Sequence, residues 1–177
     1  MPQTDYKSFN HKGKWMKEPI LSALNQQLNR ELYSAYLYLS MAAYFDAHQL
    51  KGFAHWMHMQ VKEEFEHAMR FYHYIIERGE QVQCLVLEAP PSEWSSVVNV
   101  FEAVLHHEQD VTKLIHTLVD LALQYKDDAT HKFLQWFVAE QREEEFSAGQ
   151  VLKKTKIAAE DSDAFVLLDQ ELEKRKI

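Results

Sequence analysis

Four positions in this chain pair acidic side chains with apolar neighbours at helical spacing. Glu31 falls between Leu28 and Ala35, Glu64 between Val61 and Ala68, and Glu108 between Val104 and Val111. Gln141 and Glu144 fall together between Phe137 and Ala148. Residues three, four or seven apart share a helix face, so each of these polar groups points the way its apolar neighbours point. His67 follows Glu64 by three residues, which sets a carboxylate and an imidazole one turn apart on that face. A carboxylate buried without a partner is costly, and four sharing one core would repel each other. Two divalent cations would remove that cost. Oxygen donors with one imidazole suit iron or manganese, and zinc competes for such a set. A lone Glu-x-x-His is commonplace on exposed helices, and a lone polar residue often marks a stripe edge. Interruptions on four separate stripes point instead to one shared metal centre.

The elements that must position these groups are four long helices. Pro19 suits a first turn, and the segment from about Glu18 to Asp46 runs without a breaker, with the stripe Leu24, Leu28, Ala35, Tyr38, Ala42 and Phe45. A second helix runs from Lys51-Gly52 to about Arg78, with Gly79 as its C′ residue and the stripe Phe53, Met57, Val61, Ala68, Phe71 and Ile75. Residues 80–95 contain Pro90-Pro91 and form the longest connection. Ser95 or Ser96 caps a third helix to about Lys126, bearing Phe101, Val104, Val111, Ile115 and Leu118. Asp127 or Asp128 caps a fourth to about Ala158, bearing Leu134, Phe137, Ala148 and Val151. A short fifth helix near Ala164–Glu171 begins at Asp161 or Ser162 and presents Phe165, Leu168 and Leu172. The expected fold is all-α: a four-helix bundle with a long crossover between helices two and three and a short fifth helix. Each long helix, near 45 Å at about 1.5 Å per residue, leaves room for a site at mid-height.

Composition narrows the function classes. The chain has 177 residues, 26% of them charged, a net charge of −8, and only four Gly and four Pro. That length suits one domain, here residues 16–177, preceded by a flexible arm at 1–15. The negative charge disfavours a nucleic-acid partner and favours cations. No uncharged run is long enough for a membrane span, and no secretory leader is visible in the first nineteen residues. The single cysteine, Cys84, excludes an internal disulfide framework or a four-thiolate metal site, and a reducing cytoplasm is the expected compartment. The histidines His55, His58, His106 and His107 are expected on solvated faces.

The stretches Leu28–Tyr38, Glu63–His67, His107-Glu108 and Phe133–Glu145 resemble prokaryotic non-haem ferritin, and the resemblance extends over about residues 18–173. Inward carboxylates with a Glu-x-x-His pair are the known donor pattern of di-iron bundles of this kind. The resemblance implies a ferroxidase that oxidises Fe(II) with O₂, or with H₂O₂, and stores ferric mineral inside a homo-oligomeric shell of twenty-four subunits. It implies one iron held by Glu31, Glu64 and His67, and a second by Glu64, Glu108, Gln141 and Glu144, with Glu64 bridging. It implies a third, outlying iron position near Glu63, Glu140, Glu143 and Glu144. It further implies that Tyr38, two turns from Glu31, is a redox-active tyrosine, with Trp136 as a second aromatic near the centre. Haem-bearing relatives carry a methionine after the first motif glutamate and a second Glu-x-x-His on the fourth helix. Here Phe65 and Gln141-Arg142-Glu143-Glu144 occupy those places, so no haem is expected. The rubrerythrin-like alternative needs more cysteines, and the DNA-protecting miniferritins lack a fifth helix and build their site between subunits. The alternative from another class is a helical scaffold without metal, in which Glu31, Glu64 and Glu108 would face water.

Overall fold

The computed structural model describes residues 16–176. The expected 1–15 arm lies outside the described residues. Five helices follow in order: α1 (Glu18–Ala47), α2 (Lys51–Glu77), α3 (Val97–Gln124), α4 (Asp128–Ala158) and α5 (Ser162–Leu172). There is no strand among the described residues.

Local chemistry accounts for most of the helix ends. The Ser96 hydroxyl accepts from the Asn99 amide and starts α3, the Asp127 carboxylate accepts from Thr130 N to start α4, and Asp161 accepts from Asp163 N and Ala164 N to start α5. Helix α2 has no such local cap. Its first amides are satisfied across the fold: Asp169 Oδ1 of α5 accepts from Gly52 N at 2.8 Å and Phe53 N at 3.0 Å. Gly52 is required there, because a Cβ would run into the Asp169 backbone carbonyl. The first three helices end the same way, on a residue in the left-handed region followed by an amide that reaches back five residues. Those residues are Gln49 (φ 60°), Gly79 (φ 74°) and Lys126 (φ 55°). The matching bonds run from Leu50 N to Phe45 O, Glu80 N to Ile75 O and Asp127 N to Ala122 O.

The crossover at 80–95 has a defined path, set by side chains of α1. Asn25 Oδ1 accepts from Gln83 N, Asn29 Oδ1 accepts from Leu85 N, and the Asn29 amide donates to Gln83 O, each at 2.7 Å. Further along α1, Ser40 Oγ donates to Pro91 O at 2.7 Å. The crossover therefore runs parallel to α1 along its length, and α3 must return antiparallel to α1. Ring contacts agree: Tyr44 of α1 meets Trp94 just before α3 at 5.4 Å, and Phe45 meets Phe101 at 6.0 Å. At the other end Arg78 grips Asp127 with two bonds of 3.0 Å, tying the end of α2 to the start of α4.

The predicted stripes form the core, except that Val61 and Phe165 are only half-buried. The core is in two parts. One contains Tyr38, Met41, Phe45, Phe53, Met57, Phe101, Val104 and Ala148, and α5 adds Leu168 and Leu172. The other contains Leu24, Leu28, Phe71, Ile75, Val111, Ile115, Leu134 and Phe137. Between them, at mid-height, lies a layer that is not apolar.

Candidate metal centre

That layer is made of the residues that interrupt the stripes. Glu31 is 1% exposed, Glu64 2%, His67 4%, Glu108 1%, Gln141 3% and Glu144 5%. All six therefore project into the bundle from four helices, flanked on each helix by the two apolar clusters. Donor atoms of Glu31, Glu64 and His67 lie within 4.8 Å of one another, as a single ion requires. Glu108 and Gln141 meet through Gln141 Nε2, which donates to Glu108 Oε2 at 3.1 Å. The Tyr38 hydroxyl donates to Glu108 Oε1, so the aromatic expected to be redox-active is bonded directly to a carboxylate of the centre.

Glu144 is brought toward His67 and Glu140, whose donor atoms with its own also lie within 4.8 Å. His67 thus borders two potential cation positions. Trp136 stands beside it at 5.4 Å between ring centroids, beneath the Arg70 guanidinium at 3.7 Å.

Burial governs the charge state. It raises Glu31 to about 7, with the Glu108 charge adding and a hydrogen bond from Gln27 opposing. It raises Glu144 to about 8, again with Glu108 adding and a bond from Gln60 opposing. Burial and the charges of Glu108, Glu31 and Glu144 lift Glu64 well above the usual carboxylate range. Burial also raises Glu108 against the bonds from Tyr38 and Gln141. The Tyr38 phenol is pushed up by burial and by the charges of Glu108 and Glu64. Burial, helped by Arg70, lowers His67 to about 4. Its 3.7 Å approach to Glu64 is therefore not an ion pair at neutral pH; the imidazole is neutral, the form that ligates metal.

Two buried oxygens in the layer, Glu31 Oε2 and Gln60 Oε1, have no hydrogen-bond partner. Buried polar atoms are nearly always partnered, so orphaned oxygens beside clustered carboxyls fit a site that accepts cations. The donor set is oxygen-rich with one neutral imidazole, matching a hard to borderline divalent ion.

Beside the centre, Gln27, Gln60 and His107 are buried groups that escaped the sequence reading. Gln27 donates to Glu31 Oε1 at 2.8 Å, and Gln60 donates to Glu144 Oε2 at 2.9 Å, so each amide fixes a carboxylate. Both occupy the inward faces of their helices, one turn before Glu31 and Glu64, and that spacing was the available signal. The third is a correction: His107 is buried rather than solvated. Its Nε2 lies 2.7 Å from Ser34 Oγ, whose own proton goes to Arg30 O, so His107 donates. The expectation failed because His107 sits at the junction of α1 and α3, where Tyr38 covers it edge-on at 5.8 Å.

The residues expected at an outlying position divide. Glu63 is half-buried, Glu140 half-buried and Glu143 exposed. With Glu144 they line a cleft of 410 Å³. Glu63 is already engaged there: Arg175, beyond α5, donates to its Oε2 at 2.5 Å.

A ferritin-like domain model matches residues 21–158. The chain is 41% identical over 151 residues to a bacterial non-heme ferritin of Bacteroides fragilis, covering 85% of this chain and 95% of that protein. It is 40% identical over 160 residues to the bacterial non-heme ferritin of Staphylococcus saprophyticus, covering 90% and 96%. Among solved structures, an open-pore ferritin of the archaeon Archaeoglobus fulgidus superposes with a TM-score of 0.90 at 51% identity, covering 93% of this chain and 100% of that one. No described helix is long and apolar enough to cross a membrane.

Proposed function

The chain belongs to the ferritin family, and from that premise we propose that it oxidises Fe(II) at the mid-bundle centre and stores the ferric product inside a shell of identical subunits. The observation that carries this reading is the carboxyl layer itself. Four buried glutamates, one neutral imidazole and two orphaned oxygens divide an otherwise apolar bundle, and such a layer can carry its negative charge only when cations neutralise it; without them the carboxyls hold protons instead.

Iron enters as substrate. One Fe(II) is taken by Glu31, Glu64 and His67. The second is taken by Glu64, Glu108, Gln141 and Glu144, with Glu64 shared. Each ion gives up one electron, and the pair reduces one O₂, which takes two protons from solvent and leaves as H₂O₂; holding both ions in one site lets the two electrons leave together. Gln27 and Gln60 hold Glu31 and Glu144 in place. Gln141 keeps one donor neutral, so the centre binds Fe(III) less tightly than an all-carboxylate site and lets it move on to the mineral. When a single Fe(II) occupies the centre, Tyr38 can supply the second electron to O₂, its proton passing along the existing hydrogen bond to Glu108, and a later Fe(II) reduces the oxidised tyrosine back. Glu63, Glu140, Glu143 and Glu144 form an outlying position for a third ion. The shell has twenty-four subunits and works in the cytoplasm.

Aerobic Fe(II) addition with size-exclusion chromatography alongside tests the reading. A large particle that accumulates iron far beyond two ions per chain is the expected result. Glu31→Ala, Glu64→Ala, His67→Ala and Glu108→Ala each slow the rapid oxidation. Rapid oxidation that persists unchanged in all four variants, or a small particle that takes up no iron, refutes it.

A further inference from the structure

The residues after α5 turn back onto α2, and Arg175 is held there by more than its ion pair. Its Nη1 donates to Trp56 O at 3.2 Å, and its guanidinium lies over the Trp56 ring at 4.6 Å. Its own carbonyl oxygen lies 2.9 Å from His55 Nε2. The His55 contact holds the Arg175 backbone against α2, and the Trp56 contacts give its side chain partners besides Glu63. Glu63 Oε2 then completes the set, with both partners about four-fifths buried. The guanidinium stands in the wall of the cleft that Glu63, Glu140, Glu143 and Glu144 line.

We propose that Arg175 is a resident counter-cation of this cleft, a positioning residue that occupies Glu63 until an incoming metal ion displaces it. A guanidinium and a divalent ion compete for the same carboxylate oxygen. Arginine cannot yield by losing its proton, so it must move. Trp56 gives it a place to stay, through the carbonyl and the ring face, which makes the displacement reversible. The outlying position therefore binds more weakly than the buried pair and fills after it. This rests on the outlying third position proposed above.

Zinc, which is not oxidised, serves as the probe on the full assembled chain. Calorimetric titration of the unmodified protein is expected to show two tight steps and a weaker third. Arg175→Gln tightens the third step by roughly five- to ten-fold, the scale of losing one partly buried competing ion pair, and moves the first two far less. Arg175→Lys keeps the charge and stays near the unmodified value. A third step that is unchanged or weaker in Arg175→Gln overturns the proposal, as does an equal shift of all three steps. A second measurement needs no variant. Labelling of Arg175 by phenylglyoxal, read by mass spectrometry, rises with the third equivalent of zinc and not with the first two. Labelling that is indifferent to zinc overturns it. Absence of any tight zinc step would instead bring down the metal-centre reading, and the displacement with it. Two tight steps with no effect of Arg175→Gln would bring down the displacement alone.

Discussion

Loading the mid-bundle centre should expel protons, and their number follows from the carboxyl environments. Glu31 titrates at about 7 and Glu144 at about 8 in the metal-free chain. At about pH 6.5, roughly three quarters of Glu31 and nearly all of Glu144 are protonated, whereas at about pH 9 the two together hold roughly a tenth of a proton. A divalent ion requires both ionised. Binding at the lower pH thus releases about two protons per chain, and the raised Glu64 and Glu108 add to that number. His67 adds none, since it is already neutral. Stability has the matching sign. These groups have folded values above their unfolded ones, so their stabilising effect is complete below about pH 4.5 and is lost as pH climbs through about 7 to 8. For Glu31 alone the loss is on the order of 3 kcal/mol. Zinc titrations in two buffers of different ionisation enthalpy give the proton count, and melting of the metal-free protein across the same range gives the stability. Glu31→Gln should lower the count at the lower pH by roughly three quarters of a proton. No proton release at about pH 6.5, or metal-free protein that grows more stable toward alkaline pH, would show that the carboxyls are solvated and ionised.

Two further outcomes concern the scaffold. Asp169→Ala removes the acceptor of two α2 amides and should cost about 1–2 kcal/mol, lowering the melting temperature by roughly 3–6 °C; an unchanged midpoint would mean that α5 does not cap α2. Gln49→Gly and Lys126→Gly each relieve a side chain held in the left-handed region and should add about 0.5–1 kcal/mol in chemical denaturation, whereas a loss would contradict the helix-end geometry.

What could be read from the sequence was what local chemistry decides. Ser96, Asp127 and Asp161 announce helix starts because their side chains satisfy amides only two or three residues on. Gly79 announces a helix end because glycine adopts positive φ freely. Gln49 and Lys126 take the same backbone shape with no such signal, because the short hairpin connections impose it. Glu31, Glu64, Glu108, Gln141 and Glu144 were legible as polar breaks in apolar stripes. Gln27 and Gln60 were not, although they share those faces, because uncharged amides are ordinary helix residues and carry no obvious cost. The crossover path was hidden for the same reason: Asn25 and Asn29 are uncharged amides whose partners, backbone groups of 81–85, lie more than fifty positions away. Arg175 and Glu63 are separated by 112 positions, and no periodicity links them.

The polar layer through the middle of the bundle ties the lifetime of the molecule to its cargo. Anything that binds the native chain and not the unfolded one deepens the native well, by an amount that grows with its free concentration. A subunit whose centre holds metal is accordingly harder to unfold than a vacant one. The polar layer is therefore also the place where the fold is most sensitive to what occupies it.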